Sequence, residues 1–175
     1  MNFIIRTLTV DDSIDYQKIR LRSLLDHPES YGSSYEEESA RSDKDINQMF
    51  IDFKDSKNFI IGAFSDKNNL IGILGVNREI KIKTRHKANI WGVYVIPEMR
   101  GKSIAKKLLL NAIDILRNDQ YIRNLLLGVT ITNEPAVRLY ESLGFRTYGT
   151  EPDDILVNGR FHSMHLMCLK IKEGI

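Results

Sequence analysis

Seven runs of β-branched, aromatic and aliphatic residues are interleaved with four stretches whose apolar residues recur at helical spacing. The runs cover residues 2–8, 59–64, 70–76, 88–96, 125–131, 145–150 and 160–170, and predict strands. The helical stretches are 11–26, 42–55, 103–117 and 133–144. Asp11, Asp12 and Ser13 start the first helix, with Ile14, Ile19, Leu21, Leu24 and Leu25 as its apolar stripe. Ser42 or Asp43 caps the second, and Ile46, Met49, Phe50 and Phe53 face inward. Asn133 with Pro135 opens the fourth, and Gly144 closes it.

The connections carry turn chemistry. Asp66-Lys67-Asn68-Asn69 joins two strands as a hairpin, and Asn158-Gly159 does so again near the end. Residues 78–85 are basic and read as exposed strand ends, while 151–154 read as a loop. Residues 27–42 are polar, with Pro28 as a breaker and Glu36-Glu37-Glu38 as a solvated acidic run or a helix approach. The order βααβββαβαββ combines hairpins with strand–helix–strand crossovers. It predicts an α/β domain with a mixed sheet, spanning 1–175 as one unit.

Composition narrows the function classes. A 42% hydrophobic content is ordinary for a soluble chain, and a net charge of +2 makes no general case for nucleic acid or an anionic membrane. No apolar run reaches about 18 residues, and no basic-then-apolar leader opens the chain, so a cytoplasmic location is expected. The one cysteine, Cys168, sits between Met167 and Leu169 and reads as a buried inert thiol. No His/Cys/Asp cluster has metal-ligand spacing, so no metal is expected.

One basic cluster stands out by its position. Pro97 ends the strand that carries Val93, Tyr94 and Val95; Gly101 turns the chain; the helix begins near Ser103. Arg100, Lys102, Lys106 and Lys107 crowd the positive end of that helix, where acids would be favoured. The first amides of a helix and its dipole attract anions. The cluster is either an anion site or a solvated basic face.

At this turn the chain resembles the GCN5-related N-acetyltransferase superfamily. The family pattern falls on Arg100, Gly101, Lys102, Ser103, Ile104 and Ala105, with Ser103 in place of the usual middle glycine. A second block matches at Asn133, Ala136, Leu139-Tyr140 and Gly144-Phe145. The resemblance spans nearly the whole chain. It implies the acyl-CoA N-acyltransferase fold: a mixed, centrally splayed sheet flanked by helices. It implies that the anion is the pyrophosphate of acetyl-coenzyme A, cradled by backbone amides from Arg100 through Gly101, Lys102, Ser103, Ile104 and Ala105 to Lys106. Backbone groups of Val93, Tyr94 and Val95 would hold the pantetheine arm and acetyl carbonyl. Asn133 is a helix cap first and a coenzyme contact second.

Tyr140 takes the family's proton-donor position, where a phenol can protonate or hydrogen-bond the leaving coenzyme A sulfur. A partly buried aromatic is its alternative reading. For the base, family members place a Glu on the strand before the turn, but residues 86–97 contain no Asp or Glu, and Asn89 lies near the expected position. Glu36, Glu37 and Glu38 could act through water or attract a cationic acceptor; His86, His162 and His165 are further candidates. The expected activity is N-acetyl transfer to a primary amine by direct attack in a ternary complex, the acceptor being a small cationic amine. A protein N-terminus or lysine is an alternative acceptor, and a non-catalytic acyl-coenzyme A-binding regulator an alternative role. No nucleic-acid or membrane partner is expected. Homodimers are common in this family, although no exposed apolar stripe demands one.

Overall fold

A computed structural model describes residues 2–172. Its strands are β1 (Phe3–Thr7), β2 (Phe59–Ser65), β3 (Leu70–Arg78), β4 (Lys87–Val95), β5 (Asn124–Thr130), β6 (Arg146–Val157) and β7 (Arg160–Lys170). Its α-helices are α1 (Ser13–Asp26), α2 (Tyr35–Ser39), α3 (Asp43–Ser56), α4 (Ile104–Arg117) and α5 (Glu134–Ser142). The strands form one sheet in the order β1-β2-β3-β4-β5-β7-β6. Every neighbouring pair is antiparallel except β4 and β5, which are parallel.

Strand alternation explains why helices cover both faces. On β2 and β3, Ile61, Ala63, Leu74 and Val76 face one way, against Ile104, Leu108, Leu109, Ala112, Ile113 and Leu116 of α4. Ile60, Phe64 and Ile73 face the other way, against Tyr16 and Ile19 of α1 and Ile46 and Phe50 of α3. Each of the five buried Ile and Leu side chains of α4 stabilises the fold by roughly 1.5–3 kcal/mol relative to exposure.

Several helix starts follow their sequence signals. The Ser42 hydroxyl accepts from Asp45 N, and the Asn133 side chain accepts from Ala136 N at 3.3 Å. Three expectations need correction. The polar segment contains the short helix α2, because Ser34 and Glu37 form a reciprocal capping box. Residues 151–154 do not interrupt the strand: β6 runs through them as a bulge of two extra residues, with Asp153 at φ 54° and its amide donating to Ser163 Oγ. The apolar stripe assigned to α1 also holds only in part: Ile19 and Leu24 are buried as expected. Ile14 and Leu25 are about 60% exposed, whereas Tyr16, Arg20 and Ser23 turn inward. Tertiary packing, not the hydropathy of each residue, chose that face.

The sheet opens at its centre. The parallel ladder between β4 and β5 consists of Lys87↔Asn124, Ala88↔Leu125 and Asn89↔Leu126, and pairing stops there. On its other edge β4 carries an extra residue against β3, since Ile73 faces Tyr94 but Gly75 faces Trp91. Gly92, at φ +62°, takes up the left-handed conformation this bulge requires. A bulged strand bends, and this bend falls where β4 parts from β5.

Candidate active site

The gap between the parted strands is a cleft of about 440 Å³. Its walls are residues 90–95 of β4 and 127–130 of β5; the start of α4, the Asn133–Tyr140 face of α5 and the segment His27–Tyr31 complete it. Val93, Tyr94 and Val95 all lie on the β4 wall. Two of their carbonyls already accept hydrogen bonds: Val93 O from Tyr31 Oη at 3.2 Å, and Val95 O from Arg100 Nε at 3.1 Å. A ligand using these carbonyls must share or displace those donors. The Tyr94 ring leaves the cleft for the α1–α3 core, and its hydroxyl donates to Asp26.

The turn into α4 is built to present amides. Gly101 and Ser103 are both left-handed, at φ +76° and +60°. Ser103 followed by the right-handed helix gives the alternation that makes a concave nest of N–H groups. The first helical bond runs from Lys107 N to Ser103 O, so the amides of Ile104, Ala105 and Lys106 have no helical acceptor. No acid occupies the first turn of α4. The serine in the glycine position therefore keeps the glycine conformation, at a cost of about 1–2 kcal/mol for its Cβ.

The cations around the turn divide. Arg100 folds back along β4, donating to Val95 O and, through Nη2, to His27 Nε2 at 2.9 Å. Lys102 reaches Met99 Sδ, and Lys107 Nζ lies 4.6 Å over the Phe3 ring. Lys106 is exposed beside the turn.

Tyr140 is 6% exposed, lines the cleft and packs edge-on against Phe145 with ring centres 5.9 Å apart. Burial, and secondarily the nearby Tyr31, push its phenol well above the ordinary value. The phenol consequently stays protonated. Unlike the hydroxyls of Tyr31 and Tyr94, that of Tyr140 has no partner among the described residues. Asn133 lines the cleft as well as capping α5.

No Asp or Glu lines the cleft among the described residues. Glu37 is held in its capping box, Glu38 pairs with Arg41 at 3.2 Å, and Glu36 is exposed. Asn89 lies in the still-paired part of β4 and donates to Glu79. His86 precedes β4 at its far end, His162 sits on β7, and His165 Nδ1 contacts Thr150 Oγ1 at 3.1 Å. None of the three lines the cleft. The histidine that does is His27, which sequence reasoning passed over because it sits in an irregular segment beside a proline. Arginine only donates, so His27 Nε2 accepts from Arg100, leaving Nδ1–H toward Glu29 at 3.5 Å. Its lone pair is thus engaged.

Cys168 is half-buried on β7, away from the cleft. Burial pushes its thiol up, which lowers the thiolate fraction. Among the described residues no group of three or more His, Cys, Asp or Glu could hold a metal, and no helix is long and apolar enough to cross a membrane.

Residues 20–145 match the family model described as the acetyltransferase (GNAT) family. The chain belongs to that family. A spermidine N(1)-acetyltransferase of Vibrio cholerae is 30% identical over 101 residues, taking in 58% of this chain and 57% of that protein. Its counterpart in Escherichia coli K12 is 23% identical over 125 residues, or 71% and 64% of the two chains. The matched region thus spans about three-fifths of these relatives' length. A GNAT acetyltransferase structure from Streptococcus pneumoniae superposes with a TM-score of 0.88 at 19% identity, covering 97% of this chain and 99% of that one. A Salmonella typhimurium putative acetyltransferase, solved with its cofactor acetyl-CoA, gives 0.86 at 20% identity, covering 100% and 97%. At such identities the likeness establishes the fold, which is the GNAT acyl-CoA N-acyltransferase fold.

Proposed function

We propose that the protein transfers the acetyl group of acetyl-coenzyme A to the primary amine of a small molecule, by direct attack in a ternary complex. The observation that carries this reading is the cleft left where β4 and β5 part: the orphan amides of α4 border one part of it and the Tyr140 phenol another. The nest at Gly101–Ser103 and the acid-free first turn of α4 fit a pyrophosphate. The relatives named for spermidine acetylation, and the Salmonella structure with acetyl-CoA, support the donor and the amine class.

The chemistry follows from the groups at hand. An alkyl ammonium, with a pKa of about 10.4, must lose a proton before its nitrogen can attack the thioester carbonyl. With no Asp or Glu lining the cleft among the described residues, that proton leaves to water. As the C–N bond forms and the C–S bond breaks, charge develops on sulfur, and the protonated Tyr140 phenol donates a hydrogen bond to it. A thiol, at about 8.5, is a stronger acid than a phenol with a raised pKa. Tyr140 therefore acts chiefly by stabilising the sulfur rather than by surrendering its proton outright. Cys168, remote and little ionised, gives no support to an acyl-enzyme.

The cleft also fits a second reading, a regulator that binds acyl-coenzyme A without turnover, because no Asp or Glu lines it among the described residues. A thiol-release assay over an amine panel separates the two. Acceptor-dependent release of coenzyme A, lost in Gly101→Glu, supports the enzyme; tight acetyl-coenzyme A binding with no acceptor found supports the regulator.

A further inference from the structure

Arg20 is 5% exposed, and its Nε and Nη1 lie buried without a hydrogen-bond partner. Two aromatic rings flank its guanidinium: Tyr31 at 4.9 Å and Trp91 at 5.9 Å. Both rings line the cleft. The guanidinium faces β4 at Gly92, where an added Cβ would lie 3.9 Å from Nη1. The Trp91 indole N–H is buried and unpaired too. Aromatic faces attract the cation but accept nothing from its in-plane N–H groups. Among the described residues no Asp or Glu is paired with Arg20, and Glu38 is bonded to Arg41 instead. Arg20 itself stands behind the Tyr31 and Trp91 rings rather than in the cleft lining, and among the described residues its Nε and Nη1 and the Trp91 N–H have no acceptor; such groups call for an acceptor supplied from outside the chain.

We propose that Arg20 recognises a carboxylate on the acceptor, so that the amine acetylated here belongs to an amino-acid-like molecule. The inference rests on the transferase reading for the amine, but the anion site stands on Arg20 and Trp91 alone. A carboxylate supplies two oxygens to the guanidinium fork, and the Trp91 N–H is a further donor to it. A polyamine would bring a second cation towards a buried guanidinium and be repelled. The site would thus take a zwitterion in preference to spermidine.

The test uses the full chain with saturating acetyl-coenzyme A. Amino acids are compared with their carboxamides and with spermidine. Carboxamide amines are less basic and more often neutral, so basicity alone would favour them. We expect kcat/KM at least tenfold higher for the acid. Arg20→Gln should erase that preference through KM, leaving kcat/KM for the carboxamide and acetyl-coenzyme A affinity within twofold; Arg20→Lys should restore part of it. Trp91 is the sole tryptophan, so its fluorescence should titrate with the free amino acid in the wild type and not in Arg20→Gln. Equal use of acid and carboxamide, preference for spermidine, or an equal loss on both substrates in Arg20→Gln overturns the proposal. So does the absence of a fluorescence response across the amino acids. A fluorescence response without acetyl transfer would instead sink the transferase reading and leave the carboxylate site standing.

Discussion

The Tyr31 hydroxyl donates to the carbonyl of Val93 across 62 residues of sequence. This bond closes the segment His27–Tyr31, which holds the 3-10 turn Pro28–Ser30, onto the β4 wall, at a carbonyl that the proposed donor substrate would use. Burial pushes the Tyr31 phenol up to about 12, so it remains a donor at neutral pH. Tyr31→Phe removes the donor and keeps the ring over Arg20. We expect stability to fall by about 1 kcal/mol in urea titrations. Acetyl-coenzyme A affinity should hold or improve by a few fold, since the carbonyl is freed. A loss of tenfold or more would mean that Tyr31 itself contacts the ligand.

Tyr140→Phe removes one oxygen from a ring that is otherwise buried. On the proposed mechanism kcat falls by about 100-fold, the lower range for a positioned acid. The acetyl-coenzyme A dissociation constant, read by calorimetry, should stay within about threefold. Unchanged turnover would leave Tyr140 as packing alone.

Ser103 is left-handed where glycine carries no penalty. Ser103→Gly should relieve strain of about 1–2 kcal/mol, offset by about 0.4–1 kcal/mol of extra unfolded-state entropy. A melting temperature up by roughly 1–4 °C is the expected result. Ser103→Val should move it down. A serine hydroxyl that binds phosphate would reveal itself as weaker acetyl-coenzyme A binding in the glycine variant.

Asp12 holds both terminal nitrogens of Arg6 at 2.7 Å and accepts from Thr9 N. The Arg6 hydrogen bond, foremost, lowers the Asp12 carboxyl below its ordinary value. A depressed carboxylate stabilises the fold above its unfolded pKa of about 3.9, and that contribution is lost as pH falls through the lower folded value. Asp12→Asn should therefore cost about 1 kcal/mol at pH 7 and progressively less as pH falls below the unfolded value of about 3.9. Urea midpoints across that range would show the two curves converging. Parallel curves would mean that the pair carries no net stabilisation.

Four tyrosines are held above their ordinary range by burial: Tyr16, Tyr31, Tyr94 and Tyr140. Unfolded phenols ionise first, so stability should decline as pH rises above about 10. Absorbance at about 295 nm should show these four ionising together with alkaline unfolding, since a phenolate in the apolar core is penalised by desolvation. Complete ionisation of all seven tyrosines in a chain still folded by circular dichroism would contradict this burial.

By itself, the sequence determined the features that depend on near neighbours. Ser42, Asn133 and Gly144 mark helix ends because a cap needs only a few adjacent residues. The strand–turn–helix around Gly101 and the apolar repeat of α4 were legible for the same reason. Tertiary structure decided which residues meet. Arg20 reads locally as one more cation on a helix, and only packing between Tyr31 and Trp91 buries it. His27 reaches the cleft because Arg100, from the far side of the turn, holds its ring. The cleft exists because β4 and β5 stop pairing after Asn89 and Leu126, beside a bulge at Gly92. Pairing register and bulge position depend on strands distant in sequence, so no local pattern carries them.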